Sequence, residues 1–273
     1  KKLERDYGRV TNAMNIGDPH EIHALRSLAY THEETGYIRG AYGAYKQLEL
    51  YFNKSKDREH HLYNLVRTSS LIGEVFETEK YGRIFLGKYP DSEYKDAVRN
   101  MMLISLFYSG EYDKAYEVSK EMIEKGDVAD NTDPHDICLH VYGGSMFYKG
   151  MFFDAHEHLV KHVKMYPESD FKVASRYFEA ANLSRLRNWN KAGPKLDKFL
   201  ADYPSDNENI YIPFALYDRA STHFNTEENE EAIAKLDLIE KNYPGAGVED
   251  MAYVLRGDVH RASEQKAESK AYY

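Results

Sequence analysis

Asp154, His156, His158 and His162 form the densest group of potential metal ligands in the chain. His158 and His162 stand four apart, so a helix would put them on one face, with Asp154 one turn before His158. Two imidazoles and a carboxylate could hold a divalent transition metal. Two features oppose that reading. No His-Glu-x-x-His motif or cysteine joins the group, and position 162 lies in a column that the chain elsewhere fills with Leu48, Phe85, Met122, Phe199 and Ile239. A packed histidine is the favoured reading; Asp154, His158 and His162 stand as weak metal candidates, and no cofactor is expected. No Ser-His-Asp order, Gly-x-Ser-x-Gly elbow, Walker loop or Gly-x-Gly-x-x-Gly run occurs. Cys138 beside Leu139 reads as a packing residue rather than a nucleophile. The remaining binding chemistry lies in 24 tyrosines and 12 histidines, whose use depends on the elements that hold them.

Composition narrows the classes. Of 273 residues 42% are hydrophobic and 30% charged, a composition able to bury a core. Lys and Arg number 36 against 45 Asp and Glu, a net charge of −9. That argues against nucleic acid, whose ligands normally carry a basic excess. The apolar run from Met101 to Phe107, broken by Ser105, is far short of the roughly 20 residues of a membrane helix. One cysteine excludes an internal disulfide framework. The chain opens Lys1-Lys2-Leu3 without a signal core, which leaves room for membrane association through an N-terminal anchor preceding it.

A repeat organises the whole chain. Tyr-Pro recurs at Tyr89-Pro90, Tyr166-Pro167, Tyr203-Pro204 and Tyr243-Pro244, and 12 residues before those prolines stand Thr78, Ala155, Ala192 and Ala232. Gly36-x-Ile38-x-x-Ala41 and Gly110-x-Tyr112-x-x-Ala115 continue the series, so small residues fall at 41, 78, 115, 155, 192 and 232, spaced by 37 or 40. Glycine suits the left-handed end of a helix. A small residue lets two helices approach closely. Apolar residues then follow at +4, +7 and +11, as in Ala192, Leu196, Phe199 and Tyr203, one stripe of an amphipathic helix. Proline stops that helix. The segment before each elbow is helical too, with apolar or small pairs such as Leu25 and Ala29, Leu62 and Val66, Leu139 and Gly143, Leu216 and Ala220.

The spacing predicts A helices near 20–35, 58–72, 93–109, 135–149, 170–186, 208–224 and 248–263. B helices are predicted near 37–52, 74–89, 111–125, 151–166, 189–203 and 228–243. Residues 1–16 fit a B helix of an earlier repeat, and 248–273 open a following one, with Ala271 at its small position 39 after Ala232. Both ends fall inside a repeat, so residues 1–273 read as one array cut from a longer chain.

The pattern resembles the tetratricopeptide repeat, whose hairpin carries a glycine, an aromatic two later, an alanine three beyond, and a proline 12 after that. Ala155 to Pro167, Ala192 to Pro204 and Ala232 to Pro244 reproduce the spacing. The family period is about 34; here the extra residues follow the proline position. The endings Tyr89-Pro90-Asp91-Ser92 and Tyr166-Pro167-Glu168-Ser169 look like the long-period subgroup of bacterial cell-envelope proteins, such as outer-membrane assembly lipoproteins and Tol–Pal-associated proteins.

The resemblance implies an all-α fold, a right-handed superhelical solenoid of antiparallel helix hairpins with about six full repeats. It also implies a concave face lined by A helices that receives a partner protein or peptide. The inward positions carried over are His23, Arg26, Tyr30, His60, Tyr63, Arg67, Asn100, Tyr108, His140, Tyr148, Tyr177, Arg185, Phe214 and Tyr217. Tyr and Arg are common binding hot spots, and Tyr rings also fill gaps between helices. The family's carboxylate grip, Lys with Asn on successive A helices, is matched by Asn100 alone. The expected function is a non-catalytic interaction scaffold in a bacterial periplasm or cell envelope, otherwise the cytoplasm. The alternative is a targeting arm of a larger enzyme.

Overall fold

The computed structural model describes residues 19–126, 128–130, 132–203 and 209–271. Every element among them is helical, thirteen in all. The predicted partial helix at 1–16 and the residue Pro204 lie outside the described residues. The helices fall into two compact units, residues 1–118 and 119–273.

The first unit holds α1 (Pro19–Glu34), α2 (Ile38–Tyr51), α3 (Arg58–Leu71), α4 (Val75–Lys88) and α5 (Lys95–Tyr108), and α6 (Tyr112–Glu124) runs across the division. The second holds α7 (Asp133–Tyr148), α8 (Phe152–Met165), α9 (Lys172–Arg185), α10 (Trp189–Asp202), α11 (Ile212–Asn225), α12 (Asn229–Asn242) and α13 (Glu249–Ala271). Odd-numbered helices are the A helices of the repeat and even-numbered ones the B helices. Within each unit a helix packs on its chain neighbour; α3 also touches α5 in the first unit, and successive A helices touch in the second.

The elbows fall where the spacing puts them. Gly36, Gly73, Gly110, Gly150, Arg187 and Glu227 all adopt positive φ, between 56° and 84°. Each closes the same pair of hydrogen bonds: Gly36 N donates to Glu33 O and Tyr37 N to His32 O, and Glu227 N donates to Phe224 O and Glu228 N to His223 O. Crossed bonds of this kind satisfy the last carbonyls of an A helix. Arg187 and Glu227 hold a conformation that costs a side-chain-bearing residue roughly 1 kcal/mol or more.

Past each elbow the small residue permits close packing. Ala41, Thr78, Ala115, Ala155, Ala192 and Ala232 are all 0% exposed. Thr78 buries its hydroxyl by bonding Ser69 Oγ at 3.0 Å. The +7 residues Leu48, Phe85, His162, Phe199 and Ile239 are buried, and each gives its carbonyl to the N–H of the +11 residue that ends the B helix. Burying a Leu or Phe side chain contributes about 1.5–3 kcal/mol, so this stripe and its A-helix counterpart carry most of the packing. The serines after Tyr-Pro cap a turn, not the helix itself: Ser92 Oγ accepts from Tyr94 N and Ser169 Oγ from Phe171 N.

The last helix departs from expectation. α13 runs to Ala271 without an elbow, because residues 260–271 contain neither glycine nor proline to stop it. Its buried stripe, Val248, Ala252, Leu255 and Val259, repeats the α11 positions Tyr211, Ala215, Asp218 and Thr222 at a spacing of 37. Arg256 pairs with Asp237 as Arg219 pairs with Asp197.

Candidate partner-binding face

Six of the expected groove residues, Arg26, Tyr63, Asn100, His140, Tyr177 and Tyr217, occupy one column of the A helix, and the structure gives four of them a structural task. Tyr63 stacks on Tyr94 with ring centroids 4.3 Å apart, His140 on Phe171 at 4.7 Å, and Tyr177 on Tyr211 at 5.2 Å. Each partner ring stands immediately before the next A helix. Arg26 makes the same link with an ion pair to Asp57. The column therefore staples one A helix to the next, each aromatic pair adding about 0.5–1.5 kcal/mol. The signal in the sequence was the aromatic two residues after a turn residue: Ser92-Glu93-Tyr94, Ser169-Asp170-Phe171 and Asn209-Ile210-Tyr211.

In the first unit the rest of the A-helix face stays open. Tyr30 is 63% exposed and Tyr108 is 52% exposed; His23 and His60 are exposed, and Asn100 is half-buried. Arg67 is partly buried and fixed, donating to Glu33 Oε1 at 2.5 Å and to Asn64 Oδ1 at 3.2 Å. Arg26 also donates to His61 Nε2 at 2.7 Å. That bond needs a neutral imidazole, and burial together with the Arg26 charge lowers the His61 pKa to about 4. The Asp57 carboxyl is lowered by its bond from Arg26. The result is a face with exposed rings and imidazoles beside cations held in place. Asn100 Oδ1 is buried there without a hydrogen-bond partner.

In the second unit two of the expected groove residues, His140 and Tyr177, are consumed. His140 is fully buried and its Nδ1 bonds Ser175 Oγ at 2.7 Å. Burial drives its pKa down to about 3. Tyr177 is only 5% exposed and donates to Asp218 Oδ2 at 3.0 Å. Arg185 donates to Asp218 Oδ1 at 2.8 Å. Burial raises the Asp218 carboxyl and, aided by Asp218, holds the Tyr177 hydroxyl well above the usual phenol range. Tyr148 and Arg185 keep part of their surface exposed, while Phe214 and Tyr217 are half-buried.

The metal-candidate residues are drawn into helix packing. His162 is fully buried and bonds Asp136 Oδ1 of α7 at 2.6 Å. His158 meets the Tyr142 ring edge-on at 4.7 Å, and Asp154 is exposed. Among the described residues no group of three or more His, Cys, Asp or Glu could hold a metal ion. Nor is any helix there long and apolar enough to cross a membrane.

No family model and no curated protein matches this chain. Solved structures do. The chain is similar to a tetratricopeptide repeat protein from Parabacteroides merdae, with 16% identity and a TM-score of 0.64, over 91% of this chain and 89% of that one. It is similar to the apo form of RapI, with 11% identity and a TM-score of 0.62, over 97% and 82%. It is also similar to the nearly identical TPR-like repeats of a kinesin light chain from Podosopora anserina, with 14% identity and a TM-score of 0.51, over 67% and 94%. These likenesses show the fold: all-α helix hairpins of the tetratricopeptide-repeat type, in about six repeats.

Proposed function

We propose that the protein is a non-catalytic scaffold that binds a partner protein or peptide through the A-helix face of its first unit. The observation that carries this reading is the exposure of Tyr30 and Tyr108 beside His23, His60 and the clamped Arg67. Tyr offers large contact area at low entropy cost, and an arginine already held by an ion pair loses little freedom on binding. Selection of peptides from a displayed library on the intact chain tests the proposal. Selected peptides are expected to lose at least about tenfold in affinity, or about 1.4 kcal/mol, against Tyr30→Ala/Arg67→Ala/Tyr108→Ala with the helical circular dichroism unchanged. Peptides that bind the triple variant as well as the parent would refute it.

The setting we propose is a bacterial envelope assembly. Its support is the Tyr-Pro-acid-Ser repeat ending alone, and fractionation of cells expressing the full reading frame checks it. Recovery in the cytosolic fraction would remove it.

A further inference from the structure

Arg187 holds the elbow between α9 and α10 at a φ of 56°, a left-handed conformation that glycine supplies at four of the six elbows. Its side chain is exposed, as is that of Lys191 four residues on, and neither reaches a carboxylate among the described residues. The cations around them are spent. Lys172, Arg176, Arg185, Lys195 and Lys198 each lie within 3.7 Å of a carboxylate oxygen. Glu227, the other side chain at a left-handed elbow, has an interaction partner within the chain. The strain at Arg187 is therefore kept with no bond returned inside the molecule, and strain of that kind collects at functional contacts.

The preceding elbow adds an apolar tip. Phe153, in the first turn of α8, is 84% exposed, the most exposed large apolar side chain among the described residues, and Tyr148 is 46% exposed. The two elbows lie together, because Asn182 in the last turn of α9 donates through Nδ2 to Phe152 O at 2.7 Å. Residues 148–154 and 185–191 hold four cationic residues, Lys149, Arg185, Arg187 and Lys191, against Asp154 alone, in a chain of net charge −9. The following elbow reverses the sign with Glu227, Glu228, Glu230 and Glu231.

We propose that these two neighbouring elbows of the second unit dock a short acidic segment of a partner protein that carries a large apolar residue. Its carboxylates meet Arg187 and Lys191, and its apolar side chain covers Phe153. An exposed ring beside uncompensated cations supplies an anchor together with charge complementarity. The glutamates of the next elbow confine the acidic stretch to these two. The proposal does not depend on the A-helix face of the first unit.

Trp189, the one tryptophan of the chain, stands between the two cations, so its emission reports binding. The probes are synthetic tryptophan-free peptides with glutamates on both sides of a Leu-Phe centre, and matching peptides with lysines in their place. On the intact chain the glutamate peptides are expected to bind at least about tenfold more tightly than the lysine ones, and more weakly as salt rises. Arg187→Gly/Lys191→Ala is expected to weaken them at least about tenfold while melting no lower than the parent, because the glycine relieves the elbow. Phe153→Ala is expected to weaken them as well. Glu227→Gly relieves the same strain, and Tyr30→Ala/Tyr108→Ala alters only the first unit; both are expected to leave the affinity within about twofold. Absence of binding, equal binding of the lysine peptides, or binding indifferent to Arg187→Gly/Lys191→Ala would overturn the proposal. So would binding of phosphatidylserine vesicles in place of the peptides, which would assign the elbows to a membrane. A concentration-dependent dimer dispersed by Phe153→Ala would overturn it too, by assigning them to a second copy.

Discussion

Tyr63 and Tyr177 occupy the same column of their A helices and meet different fates. Tyr63, in the first unit, lies against Tyr94 and stays half-buried. Tyr177, in the second, is buried against Tyr211 and donates to Asp218 of the next A helix. The difference comes from the following repeat. Where Asp218 stands in α11, the first unit has Met101 in α5, which offers no strong acceptor. One repeat scaffold thus supports two kinds of A-helix side: an open face in the first unit, and a polar network locked between helices in the second. A residue type carried over from a family motif does not choose between them; its neighbour one repeat later does.

That comparison predicts unequal costs for matched substitutions. The largest is at the buried carboxylate. Arg185→Ala leaves Asp218 buried with its charge uncompensated, and is expected to cost about 2–3 kcal/mol in urea denaturation. Arg67→Ala in the first unit breaks a partly exposed pair with Glu33 and is expected to cost under about 1 kcal/mol. Equal losses would erase the distinction between the units. Next comes Tyr177→Phe, which orphans one Asp218 oxygen and is expected to cost about 1–2 kcal/mol, while Tyr63→Phe is expected to stay within about 0.5 kcal/mol.

Acid sharpens the comparison. The folded pKa of His140 is lowered to about 3 and that of His61 to about 4, from 6.5. Both prefer the neutral form when folded. Their stabilisation is fully present above pH 6.5 and is lost as pH falls through the window between 6.5 and those folded values. The expected slope is up to about 1.4 kcal/mol per pH unit for each histidine. His140→Phe keeps a ring against Phe171 and is expected to flatten the fall in melting temperature between pH 6.5 and 4. An unchanged slope would show that His140 is not the titrating group.

The smallest effect lies at the elbows. Arg187→Gly and Glu227→Gly, both in the second unit, are expected to stabilise by about 1 kcal/mol each, because their positive φ no longer strains a Cβ. Gly73→Ala in the first unit is expected to destabilise by a similar amount.

Those elbows also show what the sequence made legible. Positions 187 and 227 carry no glycine, yet counting back from Ala192 and Ala232 located them, because the B-helix stripe must keep its distance from the turn. The other helix ends were read to within a few residues for the same reason. The end of α13 was placed at 263 rather than 271, since no elbow residue marks it. The site was less legible. His140 and Tyr177 look like binding residues by type, and only the bonds to Ser175 and Asp218 reveal their burial. His162 was readable as a packed residue from its apolar column, but its partner Asp136 was not, because the two belong to different helices.

The contrast between the two units is tested most directly by one affinity comparison. A peptide selected on the intact chain is measured by titration calorimetry against the parent, Tyr30→Ala/Tyr108→Ala, and Tyr148→Ala. Tyr148→Ala trims an exposed ring of the second unit and leaves both hydrogen bonds to Asp218 in place. The account predicts at least about a tenfold loss for the first-unit pair and less than about twofold for Tyr148→Ala. Full affinity in the first-unit variant, with the loss appearing instead at Tyr148, would contradict it.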